Sequence, residues 1–261
     1  MKVYFIGAGP GDPDLITLKG KELIQNAEII IYAGSLVNPR LLQWKKPQSR
    51  VYDSAAMTVN QVTEIYQLHC KDQGHIARLH TGDPSLYSAM GEQIRFCREK
   101  KIPFEVVPGV SSFCASAAAL CTELTLPGIT QSIVITRRAE RTPMPEKESL
   151  EQMARSGCTL VLFLSVSMVS TAMKEIQPFY KKDTPAAVVY RASWPDQRII
   201  TGTIDTIADK MESLGIKRQS IIIIGDALNK ADFDFSRLYA PDFSHQYRNA
   251  QFPNQQKGKP R

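Results

Sequence analysis

The sequence predicts an α/β protein of two α/β domains with a cleft between them, the first sheet mostly parallel and the second mixed. Three observations predict it. Short apolar runs at Val3 to Ile6, Ile29 to Tyr32, Ile76 to Leu79 and Phe104 to Val107 alternate with helical patterns, and each ends in a turn rich in Gly, Pro, Asp or Ser, the mark of βαβ units. Past Leu120 the texture changes to five strand-like runs with fewer helices between them. The stretch from Ala186 to Thr203 is too short for a helical crossover, so it holds a hairpin and makes the second sheet mixed.

Taken in order, the first run is followed by Gly7-Ala8-Gly9-Pro10-Gly11-Asp12-Pro13 and a helix-like segment from Asp14, where Asp12 can cap and Pro13 can open the helix. Thr58 and Gln61 form a capping-box pattern, Val62, Ile65, Tyr66 and His69 recur at helical spacing, and Gly74 stands where a C-cap is wanted. His69 falls on the apolar face and reads as a core histidine with its hydrogen bonds made. Val110 to Leu120 is small, apolar and almost uncharged, so it packs on most sides or lies against a ligand. Pro127 and Gly128 centre a linker. Beyond it, Ser132 to Thr136, Thr159 to Ser165, Ala186 to Tyr190, Arg198 to Thr203 and Ser220 to Ile224 read as strands, and Ile204, Ile207, Met211 and Leu214 as a helix stripe closed by Gly215. The expected division is 1–122 for the first domain, 123–130 for the linker, 131–243 for the second domain and 244–261 for a basic tail.

Composition narrows the function classes. Of the +6 formal charge, four positive charges (Arg248, Lys257, Lys259 and Arg261) sit in Ser244 to Arg261 with no acid, leaving +2 for the rest. A near-neutral body argues against nucleic acid, and a Gln/Asn/Pro-rich tail is expected to be disordered. Five cysteines without a C-x-x-C pair read as buried free thiols of a cytoplasmic protein. Scattered histidines suggest no metal site, and no apolar stretch approaches the roughly 18 residues of a membrane span.

The chemistry concentrates in two loops. A glycine-rich turn after the first strand lies where open α/β folds bind ligands. Its spacing is not the dinucleotide G-x-G-x-x-G, since Pro10 removes an amide donor and Asp12 puts a negative charge where a pyrophosphate wants none. A neutral or positively charged ligand suits it better. The second loop, Thr81-Gly82-Asp83-Pro84-Ser85-Leu86-Tyr87, repeats the Gly-Asp-Pro turn after another strand.

Together with Val107-Pro108-Gly109-Val110-Ser111-Ser112, these loops resemble those of the uroporphyrinogen and precorrin methyltransferases. Ala33 to Val37, Leu124 to Arg138 and Arg141-Thr142-Pro143 look most like the precorrin-4 C-11 branch. The resemblance runs from about Lys2 to about Leu228. It departs at Thr81, where the uroporphyrinogen enzymes carry a second glycine, and at Gly128, where many C-11 enzymes carry an acid.

The resemblance implies S-adenosylmethionine as methyl donor, an acidic tetrapyrrole (precorrin-4 or cobalt-precorrin-4) as acceptor, and a homodimer. It implies a donor bordered by Pro10 and the Thr81-Gly82-Asp83 turn, with Leu86, Ser111 and Ser112 on its homocysteine side and Leu164, Ala192 and Ile222 from the second domain. Asp12, Asp53, Asp83 and Tyr87 are the candidate acid-base or polarising groups, Asp12 and Tyr87 being preferred for catalysis and Asp53 for substrate contact. Arg137, Arg138 and Arg141 are the candidate carboxylate partners, a guanidinium matching a carboxylate bidentately; an arginine run after a strand is as often a solvated loop. Three readings stay open beside this one: another acceptor carbon or superfamily substrate, a nicotinamide-dependent oxidoreductase, and a binding module without catalysis.

Overall fold

A computed structural model describes residues 1–139, 142–229 and 233–251. The first sheet contains β1 (Lys2–Gly7), β2 (Ile29–Tyr32), β3 (Arg50–Asp53), β4 (His75–His80) and β5 (Phe104–Val107), in the order β3-β2-β4-β1-β5. Every pairing is parallel, so all five strands deliver their following loops to one edge. The adjacent strands β1 and β4 send their chains in opposite directions, to β2 and to β5, which opens a crevice between their ends.

Period-two alternation splits this sheet's side chains between two cores. Val3, Phe5, Ile29, Ile31 and Ile76 pack with Val62, Ile65 and Tyr66 of α2 (Val59–His69) and with Cys97 of α3 (Met90–Glu99). Ile6, Ile30, Ala77, Leu79 and Val107 pack on the other face with Ile24 of α1 (Leu18–Asn26). The capping box predicted at Thr58 and Gln61 forms in full, and His69 is buried with Nδ1 2.7 Å from Asp72 Oδ2, although its buried Nε2 has no partner among the described residues, so only half of its expected hydrogen bonding is made. Gly74 is not the cap of α2: the helix ends at Cys70, and Gly74 turns the chain beside Glu28 with φ +89°. The helix expected from Asp14 begins later. Asp12 caps a single 3-10 turn, Pro13–Leu15, and Thr17 then caps α1 through the Gly20 amide at 3.1 Å.

The second sheet orders β6 (Ile133–Arg137), β7 (Thr159–Phe163), β10 (Ser220–Ile224), β8 (Pro185–Tyr190) and β9 (Arg198–Thr203) as β6-β7-β10-β8-β9. Only β6 and β7 are parallel, and β8 and β9 form the expected hairpin. Helices α5 (Leu150–Ala154), α6 (Val169–Ile176) and α7 (Ile207–Leu214) cover one face. Gly215 closes α7 in the left-handed region, as its place after the stripe predicts. The other face packs against α4 (Ser112–Ala119) and the segment after it: Ala115, Leu120 and Leu124 meet Val161, Ala187, Val189, Ile221 and Ile223. The apolar helix after β5 therefore joins the two halves. Not every cysteine is buried, since Cys114 and Cys121 lie exposed on and just after α4. Of the tail, 252–261 lie outside the described residues.

Candidate functional site

Three loops from the first sheet converge at its edge, backbone against backbone. Gly9 and Gly82 exchange hydrogen bonds, Gly82 donating to the Gly9 carbonyl at 2.8 Å and Gly9 to that of Gly82 at 3.3 Å, while Ala8 donates to His80 at 2.7 Å. The third loop closes on both. A Cβ on Gly7 would stand 2.5 Å from the Gly109 Cα, and one on Gly109 would stand 2.7 Å from the Gly7 Cα. Side chains are excluded there by backbone alone.

Asp83 staples this junction. Its Oδ2 accepts from the Gly109 amide and its Oδ1 from the Ser85 amide, both at 2.8 Å, and the Ser85 hydroxyl also donates to Oδ1. Burial works to raise this carboxyl, and the Ser85 and Gly109 donors together outweigh it and hold it below its ordinary value. Asp83 is thus an acceptor committed to its own loops. Beyond Gly82, the N-terminus of α4 begins with Ser111 and Ser112, and Ser111 makes no side-chain cap, so the first amides of the helix stay open.

The second domain contributes one end of its sheet. Register places Arg137, Phe163, Tyr190, Arg198 and Ser220 at the same end, and the loops there face the first domain. Trp194 donates from Nε1 to the Pro10 carbonyl at 3.0 Å, Asp12 N donates to Ser193 Oγ at 2.9 Å, and Gln219 Nε2 donates to Ser35 O at 2.8 Å. Phe163 lies 5.2 Å from the ring of Tyr87 and 6.5 Å from that of Phe113. Tyr87, Ala89, Leu164, Arg191 and Ser193 all carry positive φ without being glycine, strain that gathers around this cleft.

The structure brings Pro10, Thr81, Gly82, Asp83, Leu86, Tyr87, Ser111 and Ser112 to one edge. Leu164 stands beside them at the end of β7, exposed and at φ 51°, and Ala192 is buried in the hairpin loop. Ile222 needs correction: its side chain is fully buried with Leu160, Leu162 and Val188 under α6 and α7, because odd and even positions of β10 face opposite sides and only Ile221 and Ile223 face α4. Arg138 also departs from expectation. Its Nε and Nη2 hold Glu175 of α6 at 2.9 and 2.6 Å, so its fork is already filled. Arg137 donates to the carbonyls of Thr142 and Pro143 yet stays within electrostatic reach of Tyr87. Arg141 lies outside the described residues. Asp12 Oδ1 accepts from Asp14 N at 3.0 Å, which makes its carboxylate a cap first. Asp53 Oδ1 accepts from Gly34 at 2.9 Å and Ala55 at 2.8 Å, steadying the loop after β2.

Sequence reading missed Trp194, Ser193, Gln219 and Phe163. The loop Arg191 to Gln197 holds one of the chain's two tryptophans after a strand, a signal that was available, whereas Gln219 and Phe163 carry none. Gly128 has a local explanation: at φ +78°, any Cβ there would run into the Asp234 carboxylate, so an acid at both places would collide and repel.

Comparison with known proteins gives the chain's relatives. The chain is 47% identical over 248 residues to the cobalt-precorrin-4 C(11)-methyltransferase of Methanocaldococcus jannaschii, covering 95% of this chain and 96% of that protein. It is 46% identical to the precorrin-4 C(11)-methyltransferase of Pseudomonas aeruginosa, covering 95% of this chain and 99% of that one. Among solved structures, a cobalt precorrin-4 methyltransferase superposes with a TM-score of 0.84 at 42% identity, covering 87% of this chain and 95% of its own. A uroporphyrin-III C-methyltransferase from Thermus thermophilus, complexed with S-adenyl homocysteine, superposes at 0.73 with 28% identity, covering 87% and 93%. Residues 2–208 match the tetrapyrrole (corrin/porphyrin) methylases, and the chain belongs to that family.

Proposed function

We propose that this protein transfers a methyl group from S-adenosylmethionine to C-11 of precorrin-4 or cobalt-precorrin-4 in cobalamin biosynthesis, working in the cytoplasm as a homodimer. The observation that carries the reading is the junction of Gly7, Gly82 and Gly109, stapled by Asp83, with Trp194 of the second domain closing on Pro10 and Gly11 of the adjoining glycine turn.

The residues present fit such a donor. Backbone carbonyls and amides unobstructed by side chains suit a polar, compact ligand, and the open amides of α4 suit a carboxylate at its homocysteine end. When bound, the sulfonium supplies an already electrophilic methyl, so little acid-base chemistry is asked of the protein. What the chain must do is hold the reacting atoms in line and keep water away, a contribution of roughly 7 to 11 kcal/mol when orientation is good. Leu86, Leu164, Phe113 and Phe163 supply the apolar walls. Tyr87 keeps its hydroxyl protonated: burial raises it, while the Arg137 charge pulls the other way. At neutral pH it therefore donates a hydrogen bond to the acceptor and takes no proton from it. Arg137 and Asp53 flank the open side as acceptor contacts.

The test is incubation with labelled S-adenosylmethionine and precorrin-4 or cobalt-precorrin-4 side by side, followed by the position of the new methyl. Label at C-11 of either substrate is expected. Label at another carbon, or none with both, overturns the reading.

A further inference from the structure

Arg78 lies in the middle of β4 on the face covered by α2 and α3, and only 8% of it is exposed. No acid pairs with it among the described residues. Its Nε donates to Gln93 Oε1 at 3.2 Å and its Nη1 to Ser54 Oγ at 2.9 Å, both neutral acceptors. The acids of the adjoining loops have other partners: Asp53 accepts from Gly34 and Ala55, and Asp83 from Ser85 and Gly109. A buried guanidinium without a counter-charge is costly to keep, and proteins that bury one ordinarily pair it.

The remaining terminal nitrogen shows where a partner could come from. Nη2 makes no hydrogen bond among the described residues, and it is not one of the fully buried atoms left without a partner, so it keeps some exposed surface. Ser54 follows directly after β3, and Gln93 in turn donates to the Ala89 carbonyl at 3.2 Å. The guanidinium is therefore held by the loop after β3 and by the first turn of α3, at the edge of the sheet that carries the glycine junction. Its aim is fixed from behind, since the Tyr66 hydroxyl donates to the same Gln93 oxygen at 2.6 Å.

We propose that Arg78, opening beside Ser54, is a carboxylate-binding subsite for a side arm of the acidic tetrapyrrole acceptor. This rests on the functional reading above. The planar fork, immobilised on Gln93 and Ser54, offers a carboxylate a pre-formed charged donor, and the missing internal acid leaves that role to the ligand.

Uroporphyrin III, a fluorescent polycarboxylate tetrapyrrole, serves as the probe, titrated into the full chain and into Arg78→Met and Arg78→Lys at low and raised salt. S-adenosylhomocysteine binding is followed in parallel by calorimetry, and thermal unfolding checks the fold. Arg78→Met is expected to bind the porphyrin about ten-fold more weakly with a shallower salt dependence and to keep its affinity for S-adenosylhomocysteine. Arg78→Lys is expected to retain the salt-dependent part and to lose about three-fold, its point charge lacking the fork. A folded Arg78→Met that binds the porphyrin like wild type overturns the proposal, as does a parallel loss of both ligands, which marks a structural role. Should the Met variant fail to fold, unchanged porphyrin affinity in Arg78→Lys overturns it. Wild-type protein that binds neither ligand removes the functional reading itself, a result distinct from a normal wild type with an indifferent Arg78.

Discussion

Trp194 donates its indole N–H to the Pro10 carbonyl at 3.0 Å and covers Gly11 so closely that a Cβ there would overlap the ring. The contact joins the hairpin loop of the second domain to the first glycine turn. Gly11 does not sit at positive φ, and the nearest atoms a side chain would meet there all belong to the Trp194 indole. Gly11→Ala should cost about 2 kcal/mol in wild type and under about 0.5 kcal/mol in a Trp194→Ala background, a non-additivity read by denaturant unfolding of the four-member cycle. Additive costs would show that the indole is not the obstacle. Trp194→Ala should also weaken S-adenosylhomocysteine binding about ten-fold in calorimetry, because the lost clamp leaves the loop less ordered.

Gly109 is constrained differently. Its neighbours are the Gly7 backbone and the Gly82 carbonyl, neither of which can rotate aside as a side chain does. Gly109→Ala is expected to cost more than about 3 kcal/mol, and no single substitution nearby should rescue it. Calorimetric unfolding within about 1 kcal/mol of wild type would contradict the close approach.

Asp83 makes the junction sensitive to acid. Its folded-state pKa lies below the unfolded value, so its contribution is complete above about pH 4 and disappears as the pH falls through the folded value. Between about pH 5 and 8 the carboxylate is ionised in both states and adds no pH dependence. Asp83→Asn should lower stability by about 1 kcal/mol at neutral pH, and the difference from wild type should shrink as pH falls below about 4. Urea midpoints for both proteins across that range decide the matter; a constant gap would place the effect elsewhere.

Arg138 holds Glu175 in a partly exposed pair, and the sequence alone would have assigned it to the substrate. Arg138→Ala is expected to cost at most about 1 kcal/mol of stability and to leave the acceptor KM unchanged. Arg137→Ala, next to Tyr87, should raise that KM several-fold with kcat nearly intact. Steady-state kinetics of the two variants separates them, and equal effects would remove the distinction.

How much of this was legible in the sequence follows from which interactions are local. Alternation and helical spacing, turn chemistry and the capping box are written within a few residues, and β1, β2, β4 to β10, α2 and α7 appear where those patterns place them. β3 escaped because Arg50 to Asp53 is a short edge strand, half polar and partly exposed, without the apolar run of a central strand. Helices α5 and α6 escaped for want of a long periodic stretch. The two Gly-Asp-Pro turns were visible as motifs, and their facing one crevice was the expectation that the Gly9 and Gly82 pairing fulfils.

The sequence by itself determined that there would be two α/β halves, which glycines would sit at strand ends, and which family the loops resemble. The tertiary structure decided what each side chain is free to do: Arg138 is consumed by Glu175, Ile222 faces the wrong core, Asp83 staples loops, and Trp194 reaches across the domain boundary. The physical reason is range. Propensity and periodicity act over a few residues, whereas these roles depend on partners 26 to 184 positions away that only the packed sheets bring within hydrogen-bond distance.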